Sequence, residues 1–543
     1  MHMGASVPDL VAALETRGFK HLGRDARRWL SFEGPLSTSA GQLACDLSVD
    51  PDFFELPIVK LKEIPASLRP IAPHIGGTGG ICYLAANTVV IDIFDPLGQT
   101  LRCLEEAEHV LDRVLKNEMV EDLAEEFLVH WFSRYCYVDG ADFQPGAVPA
   151  FCLISRQGKR IPVVTEDLDR ASKRLDTIGA VTDREQIPAF VVNTTAIPRP
   201  LLGYWPPETV ADLLSWQRAL DARCAKKIQQ RLTEAYRQSK KDAVIFIQSP
   251  QMSYGLHVHF DDSVLPEAKR RDARGTELLY SYRITRLAAV RIDASYIVQR
   301  NIPGQKTLAG KNIVIVGCGT IGGYLADLLV KAGAGLRGGQ LTLVDFEMLL
   351  PQNIGRHRLG LPYAFFSKAE GMKIMLESES PDVQVRALSV DARHAHIGKP
   401  DILIDATGEE ALGHWLTANY VATMPILSVW IEGPGTAVRA LLKESPDGAC
   451  YRCLSTYQQL GEFPTVKGGV PYIMAGHGCE GLYVPFPSTV SVQAAALGAD
   501  MVAAWVNRRN EATLKTRVID SSFEIATADC NPPKIKDCPA CSS

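Results

Sequence analysis

Four cysteines stand in two close pairs, Cys450 and Cys453 in CYRCL and Cys538 and Cys541 in DCPAC. Thiolates offered two by two from distant points of a chain suit the tetrahedral shell of zinc, and such a site would tie the C-terminal tail back onto the body that carries the first pair. Well upstream, Gly317, Gly319 and Gly322 form the GxGxxG of IVIVGCGTIGG. Glycines at that spacing let the backbone turn tightly beside a phosphate, while the free N–H groups at the start of the next helix receive its charge. Asp345 in LTLVDFE follows about 20 residues past the last glycine, the separation at which an acid holds a ribose hydroxyl. That much describes a nucleotide site, and a nicotinamide-dependent oxidoreductase would fit it too. Asn353, Arg356 and Lys368, in NIGRH and FFSKAEGM, add polar and cationic groups just beyond the ribose acid. Hydride transfer has no use for them there, whereas charge developing at a phosphorus does.

These residues need a scaffold, and the pattern around them supplies one. Lys311 to Val316 is a buried-strand run, YLADLLVKAG continues as a helix, and apolar strands alternate with amphipathic helices from Asn301 onward, the signature of a parallel α/β sheet. The chain of 543 residues exceeds one core, and three regions are expected: 1–124, a small α+β domain; 125–300, a mixed linker domain; and 301–543, the Rossmann-like α/β domain. Within the linker domain, CAKKIQQRLTEAYRQSKK reads as a helix with a solvated basic face. A charged fraction of 22% and a net charge of -5 give no sign of nucleic-acid or membrane binding. Neither a signal core nor a bilayer-spanning apolar run is evident, so a cytoplasmic protein is expected. Thirteen cysteines, scattered apart from the two pairs, argue for metal and nucleophile roles over a disulfide framework.

In order along residues 313–541, GCGTIGG, LTLVDFE, NIGRH, SKAEGM, CYRCL and CPAC resemble the adenylation domain of ubiquitin-activating enzymes and of the ThiF/MoeB-type sulfur-carrier adenylyltransferases. The resemblance implies ATP, Mg2+ and Zn2+ as cofactors, Asp345 on the ribose, Asn353 and Arg356 on the phosphates, and Lys368 at the α-phosphate. It also implies that a protein's C-terminal carboxylate is activated as an acyl-adenylate. One position departs from the family: its magnesium aspartate is replaced by Gly408 in DILIDATGEE, leaving Asp405 or Glu409 to supply the ligand. The family then captures the acyl group on a loop cysteine, here Cys479 in AGHGCEGLY, where flanking glycines permit mobility and His477 favours the thiolate.

A second resemblance lies near the N-terminus. APHIGGTGGICYL, with FFELPIVKL before it and DPLGQTLRCLEEAEHVL after it, resembles the active-site loop, last strands and following helix of ubiquitin-conjugating enzymes. It implies that Cys82 is a second thioester carrier, discharged by a target-protein amine. The asparagine that supports the oxyanion in that family is His74 here, an imidazole that would make the step pH-sensitive. Fusions in this order resemble conjugating–activating proteins of bacterial CBASS anti-phage operons. The activated partner is then a ubiquitin-like protein or a nucleotidyltransferase C-terminus, and the adenylation domain is expected to homodimerise. A sulfur-carrier adenylyltransferase with a non-catalytic N-terminal domain is the other reading. Cys530 lies near enough to the tail pair to stand in at the metal.

Overall fold

A computed structural model describes residues 7–542 except 70, 85–90, 141–142, 155–159, 178, 180, 262–276 and 477–481, with only the backbone described at 181–185. Its strands gather into three sheets, one for each stretch of the chain.

The first is an antiparallel meander, β1 (Lys20–Arg24), β2 (Leu30–Thr38), β3 (Gly41–Val49) and β4 (Ile58–Leu61). Alternation on β2 and β3 turns Leu30, Phe32, Leu36, Cys45, Leu47 and Val49 inward. The helix Pro96–Leu115 covers that face. Asp95 caps it, accepting the Gly98 N–H at 2.9 Å, proline opens its first turn, and Leu104, Ala107, Leu111 and Val114 form the apolar stripe.

Two short helices, Asp122–Glu125 and Phe127–Trp131, lead into a mixed nine-stranded sheet. Its strands are β5 (Arg134–Asp139), β6 (Gly146–Val148), β7 (Ala150–Ile154), β8 (Arg160–Thr165), β9 (Val181–Gln186), β10 (Ala189–Asn193), β11 (Asp242–Gln248), β12 (Ser253–His259) and β13 (Ile284–Arg291). The basic helix Ala222–Arg237 buries Cys224, Ala225, Ile228, Leu232 and Ala235 and leaves Lys226 and Lys227 in solvent, as its spacing predicts. An aromatic cluster of Phe127, Trp131, Trp205, Trp216 and Tyr254 fills the core beneath it. Buried Asp139 collects Thr165, Arg170 (3.1 Å) and Arg174 (2.7 Å), and Arg174 also pairs with Asp382 of the third region.

The third sheet runs β16-β15-β14-β17-β18-β19-β20. β14 (Ile313–Val316), β15 (Leu341–Val344), β16 (Val385–Leu388), β17 (Ile402–Asp405) and β18 (Ile426–Glu432) are parallel, and β19 (Ala437–Lys443) and β20 (Leu514–Val518) close one edge antiparallel. Strand order reverses at β14, the place where open α/β sheets bind ligands at their carboxyl ends. The helix Ser488–Val506 corrects one expectation: it is long and apolar enough to cross a bilayer. Half of its apolar window is buried, with Val490, Ala494, Ala495, Leu497 and Val502 in the domain core, which accounts for its composition.

Candidate active site

A cleft of about 810 Å3 opens at the carboxyl ends of β14, β15 and β17. Its floor is the glycine loop. Gly317 holds φ +88°, and a Cβ there would lie 2.9 Å from Thr407 Cα; a Cβ on Gly322 would lie 1.8 Å from the Gly317 carbonyl oxygen. The helix Thr320–Lys331 starts at Gly319 without a side-chain cap, so its first N–H groups stay available to a ligand. At Gly319 a Cβ would meet nothing within 4 Å, so what glycine provides there is room for something arriving.

Asp345, just past β15, lines the cleft with its carboxylate braced by the Cys318 N–H (2.7 Å) and the Glu347 N–H (2.8 Å); burial raises its pKa. Lys368 opens the helix Lys368–Glu379, is 7% exposed, and pairs with Glu347, a partner that sequence reasoning did not single out although it lies in LTLVDFE itself. Asn353 accepts the Leu350 N–H at 3.0 Å and so shapes the turn beside the cleft. Arg356 lies over the Phe486 ring at 4.3 Å and donates to the Val484 carbonyl at 3.0 Å. It therefore touches the segment that follows Cys479 in the chain. Cys479 and His477 themselves lie outside the described residues.

Three further features were not legible. Arg393, paired with Asp391, adds a cation to the rim, the only signal being two charges after β16. His357 is buried against the loop, Nε2 meeting the Cys318 carbonyl at 2.7 Å and Nδ1 the Leu359 N–H at 3.0 Å. The second contact requires an accepting nitrogen, so the neutral Nε2–H tautomer fits, and burial lowers the pKa to about 4. The acid beside Gly408 is also decided by the fold. Asp405, expected among the cofactor-binding residues, does not line the cleft: it is buried, spends Oδ1 on the Thr407 N–H and hydroxyl, and burial raises its pKa to about 6. Gly408, at φ +70°, turns the chain so that Glu409 stands on the cleft wall instead.

The thiol of Cys82 is exposed. Its loop is stitched to β4 by the Leu61 N–H to Gly79 carbonyl and Ile81 N–H to Val59 carbonyl bonds, and Gly79 (φ +93°) has no space for a Cβ, which would lie 2.6 Å from the Leu61 oxygen. Burial and the charge of Glu126 raise the thiol's pKa. His74 differs from its expected role. Its Nε2 lies 3.0 Å from Asp122 Oδ2 and its Nδ1 3.0 Å from Glu126 Oε1, the latter a close ion-pair contact rather than an aligned hydrogen bond. Nε2 is thus engaged by Asp122, while Nδ1 lies against Glu126 without a hydrogen bond. What His74 gives the thiol is its carbonyl, which accepts the Cys82 N–H at 2.8 Å.

Cys450, Cys453, Cys538 and Cys541 converge in the third region, buried, with all four Sγ atoms within 4.8 Å of one another. Neighbouring sulfurs are 3.6–3.7 Å apart, close to the roughly 3.8 Å edge of a tetrahedron with bonds of ~2.3 Å. The set fits one zinc-sized ion. Cys530 is not part of it: it packs against the Trp430, Leu441, Leu454 and Leu514 cluster and pairs through its backbone with Leu514.

Residues 296–540 match the model of the ThiF family, and residues 11–135 match prokaryotic E2 family B. Over the full length of both chains, 48% of residues are identical to the ATP-dependent ubiquitin transferase-like protein Cap2 of Pseudomonas aeruginosa (strain BWHPSA011 / Pa011). This chain belongs to the Cap2 family of ATP-dependent ubiquitin transferase-like proteins. A second Cap2, from Escherichia coli (strain TW11681), is 24% identical over 93% of this chain and 92% of its own. Among solved structures, E. coli MccB aligns with 46% of this chain and 68% of its own at 18% identity and a TM-score of 0.34. Membership makes the chain an enzyme that uses ATP and joins an E2-like domain to a ThiF-type domain, which sets aside the oxidoreductase reading. The molybdopterin-synthase adenylyltransferase of Salmonella typhimurium matches 31% of the chain, within a similarity that for Cap2 extends over all of it.

Proposed function

We propose that the chain activates the C-terminal carboxylate of a partner protein and conjugates it to an amine, in cytoplasmic anti-phage defence of the CBASS kind. The observation that carries this reading is the presence, in one chain, of a phosphate-shaped cleft ringed by Arg356, Lys368 and Arg393 and of an exposed thiol, Cys82, in an E2-like loop.

The chemistry runs in four steps. The partner's carboxylate attacks the α-phosphorus of ATP, forming an acyl-adenylate and releasing pyrophosphate. Helix N–H groups beyond Gly319, with Lys368 and Arg356, stabilise the charge that gathers on the phosphates, and Asp345 orients the ribose. The Cys479 thiolate attacks the acyl carbon and AMP leaves. The Cys82 thiolate takes the acyl group by thioester exchange, and a target amine then attacks that thioester, giving an amide and the free thiol. Exchange between thiols is nearly isoenergetic, whereas amide formation is downhill, so the sequence is driven forward at its last step. For Lys368 to reach a phosphate it must leave Glu347, an exchange of one anion for a more highly charged one.

Of the two acids that flank Gly408, Glu409 is the one on the cleft wall and would hold Mg2+, which would screen the phosphates. Zn2+ in the four-cysteine site would have a structural part, pinning the tail to the helix Tyr451–Gln459 that carries Cys453. The activated partner is a ubiquitin-like protein or a nucleotidyltransferase tail. Exposed Phe346, Met348, Leu361, Phe365 and Phe366, on the segment bordering the cleft, support a homodimer through the adenylation domain.

Purified protein incubated with ATP, magnesium and the candidate partner tests this by non-reducing gel and mass spectrometry. A reducible adduct on Cys82 that requires Cys479 is expected. Pyrophosphate exchange without any adduct would refute the relay and favour plain adenylation.

A further inference from the structure

The chain between the E2-like helix and the nine-stranded sheet does more than connect them. Glu126 accepts the His74 backbone N–H at 3.1 Å through Oε2, and its Oε1 lies 3.0 Å from the His74 ring. One carboxylate thus grips both the backbone and the side chain of a residue that sits at φ +59°, a conformation unfavourable for any side chain and stable only when its surroundings enforce it. Asp122 holds the other ring nitrogen. His74 in turn accepts the Cys82 N–H through its carbonyl, so displacement of Glu126 propagates to Cys82 through two hydrogen bonds.

Glu126 is itself fixed from the other side. The next residue, Phe127, is fully buried in the aromatic core of the middle region, with ring centroids 5.1 Å from Tyr254, 5.2 Å from Trp131 and 5.6 Å from Trp205. Ile71, just before the Cys82 loop, packs against the same cluster. The loop is therefore moored to the middle region at two points, one apolar and one ionic. His130, 3.5 Å from Glu126 Oε2, completes the cluster; burial pushes the Glu126 pKa up, but its contacts with His130 and His74 outweigh this and keep the carboxylate below its usual range.

We propose that the aromatic core of the middle domain takes part in the reaction at Cys82: Glu126, at the end of the E2-like stretch and anchored by Phe127 in that core, is a positioning residue that sets the Cys82 loop through His74. This rests on the reading of Cys82 as acyl carrier and gives the middle domain's aromatic core the task of holding Glu126 in place. Glu126 contributes placement, and its charge adds to burial in raising the pKa of the thiol.

The test uses the full chain. Glu126→Ala removes both contacts, whereas Glu126→Gln keeps an acceptor for the His74 N–H and removes the charge. Single-turnover transfer from the Cys82 thioester to an amine is expected to slow roughly 10- to 100-fold in Glu126→Ala and less in Glu126→Gln, with pyrophosphate exchange unchanged in both. The double variant with His74→Ala is expected to be no slower than the slower single, because the two act in one line. Alkylation of the Cys82 peptide by iodoacetamide at neutral pH, followed by mass spectrometry, is expected to quicken in both Glu126 variants as the thiolate fraction rises. This readout needs no ATP chemistry, and a Glu126→Ala rate that differs from that of Glu126→Gln, which loses the same charge but keeps the acceptor, reports the positioning role even if the wild type forms no thioester and the proposed function itself fails. Wild-type transfer in Glu126→Ala, multiplicative losses in the double variant, or identical alkylation rates in Glu126→Ala and Glu126→Gln overturns the proposal.

Discussion

Cys538→Ser is expected to release the C-terminal tail and lower the stability of the adenylation domain by several kcal/mol. Sulfur–sulfur separations of 3.6–3.7 Å match one tetrahedral ion, and four thiols this close cannot all ionise without a cation among them. The metal acts as a cross-link between Cys453 and Cys538, closing a loop of roughly 85 residues, and loop-closure entropy for that length is worth about 4–5 kcal/mol. For a domain of this size the loss corresponds to a melting shift of roughly 8–10 °C. Among the described residues the tail is also fastened by hydrogen bonds such as Ala449 N–H to Pro532 carbonyl, Lys534 N–H to Asp447 carbonyl and Thr513 N–H to Asn531 Oδ1. The assay combines metal analysis of reduced protein, expected to give one zinc per chain, with calorimetry and amide exchange across 530–542. Chelation should reproduce the variant's fast exchange in the tail. Reduced protein that carries no zinc, together with Cys538→Ser melting within a degree or two of wild type, would refute the reasoning.

Gly322→Ala places a methyl 1.8 Å from the Gly317 oxygen, so the loop must shift by more than 1 Å; titration calorimetry should show ATP affinity at least about tenfold weaker, and wild-type affinity would mean the loop yields freely. His357 has a folded pKa near 4, below its unfolded value of 6.5, so the unfolded chain binds the extra proton first; stability present above pH 6.5 is lost as pH falls toward 4. That loss amounts to about 3 kcal/mol, and a His357→Gln variant should show a flatter stability profile in denaturant titrations over the same window. Asp139→Ala strips buried Arg174 of a partner and should cost about 3–5 kcal/mol, measured by urea unfolding; a change under 1 kcal/mol would mean Asp382 suffices alone.

The sequence by itself determined whatever is local. Gly317 and Gly322 announce a turn that no side chain permits, the CxxC pairs announce a shared ion, and the stripe from Leu104 to Val114 and the apolar runs of β14 and β15 announce helix and strand, because each rests on backbone geometry or on spacing within a few residues. Motif order added the two enzyme resemblances. Tertiary structure decided where side chains point and what meets them. Asp405 and Glu409 are four residues apart and equally acidic on paper, yet the direction of β17 buries one and the turn at Gly408 presents the other. His74 reads as an oxyanion donor because its neighbours in sequence are a catalytic loop; its neighbours in space are Asp122 and Glu126, about 50 residues on, and Asp122 engages its Nε2 while Glu126 lies beside its Nδ1. Cys530 is as near the tail pair in sequence as a ligand should be and is held away by its pairing with Leu514. Periodicity and spacing report a residue's own backbone, whereas charge partners, burial and access come from segments brought together only when the sheets and their helices pack.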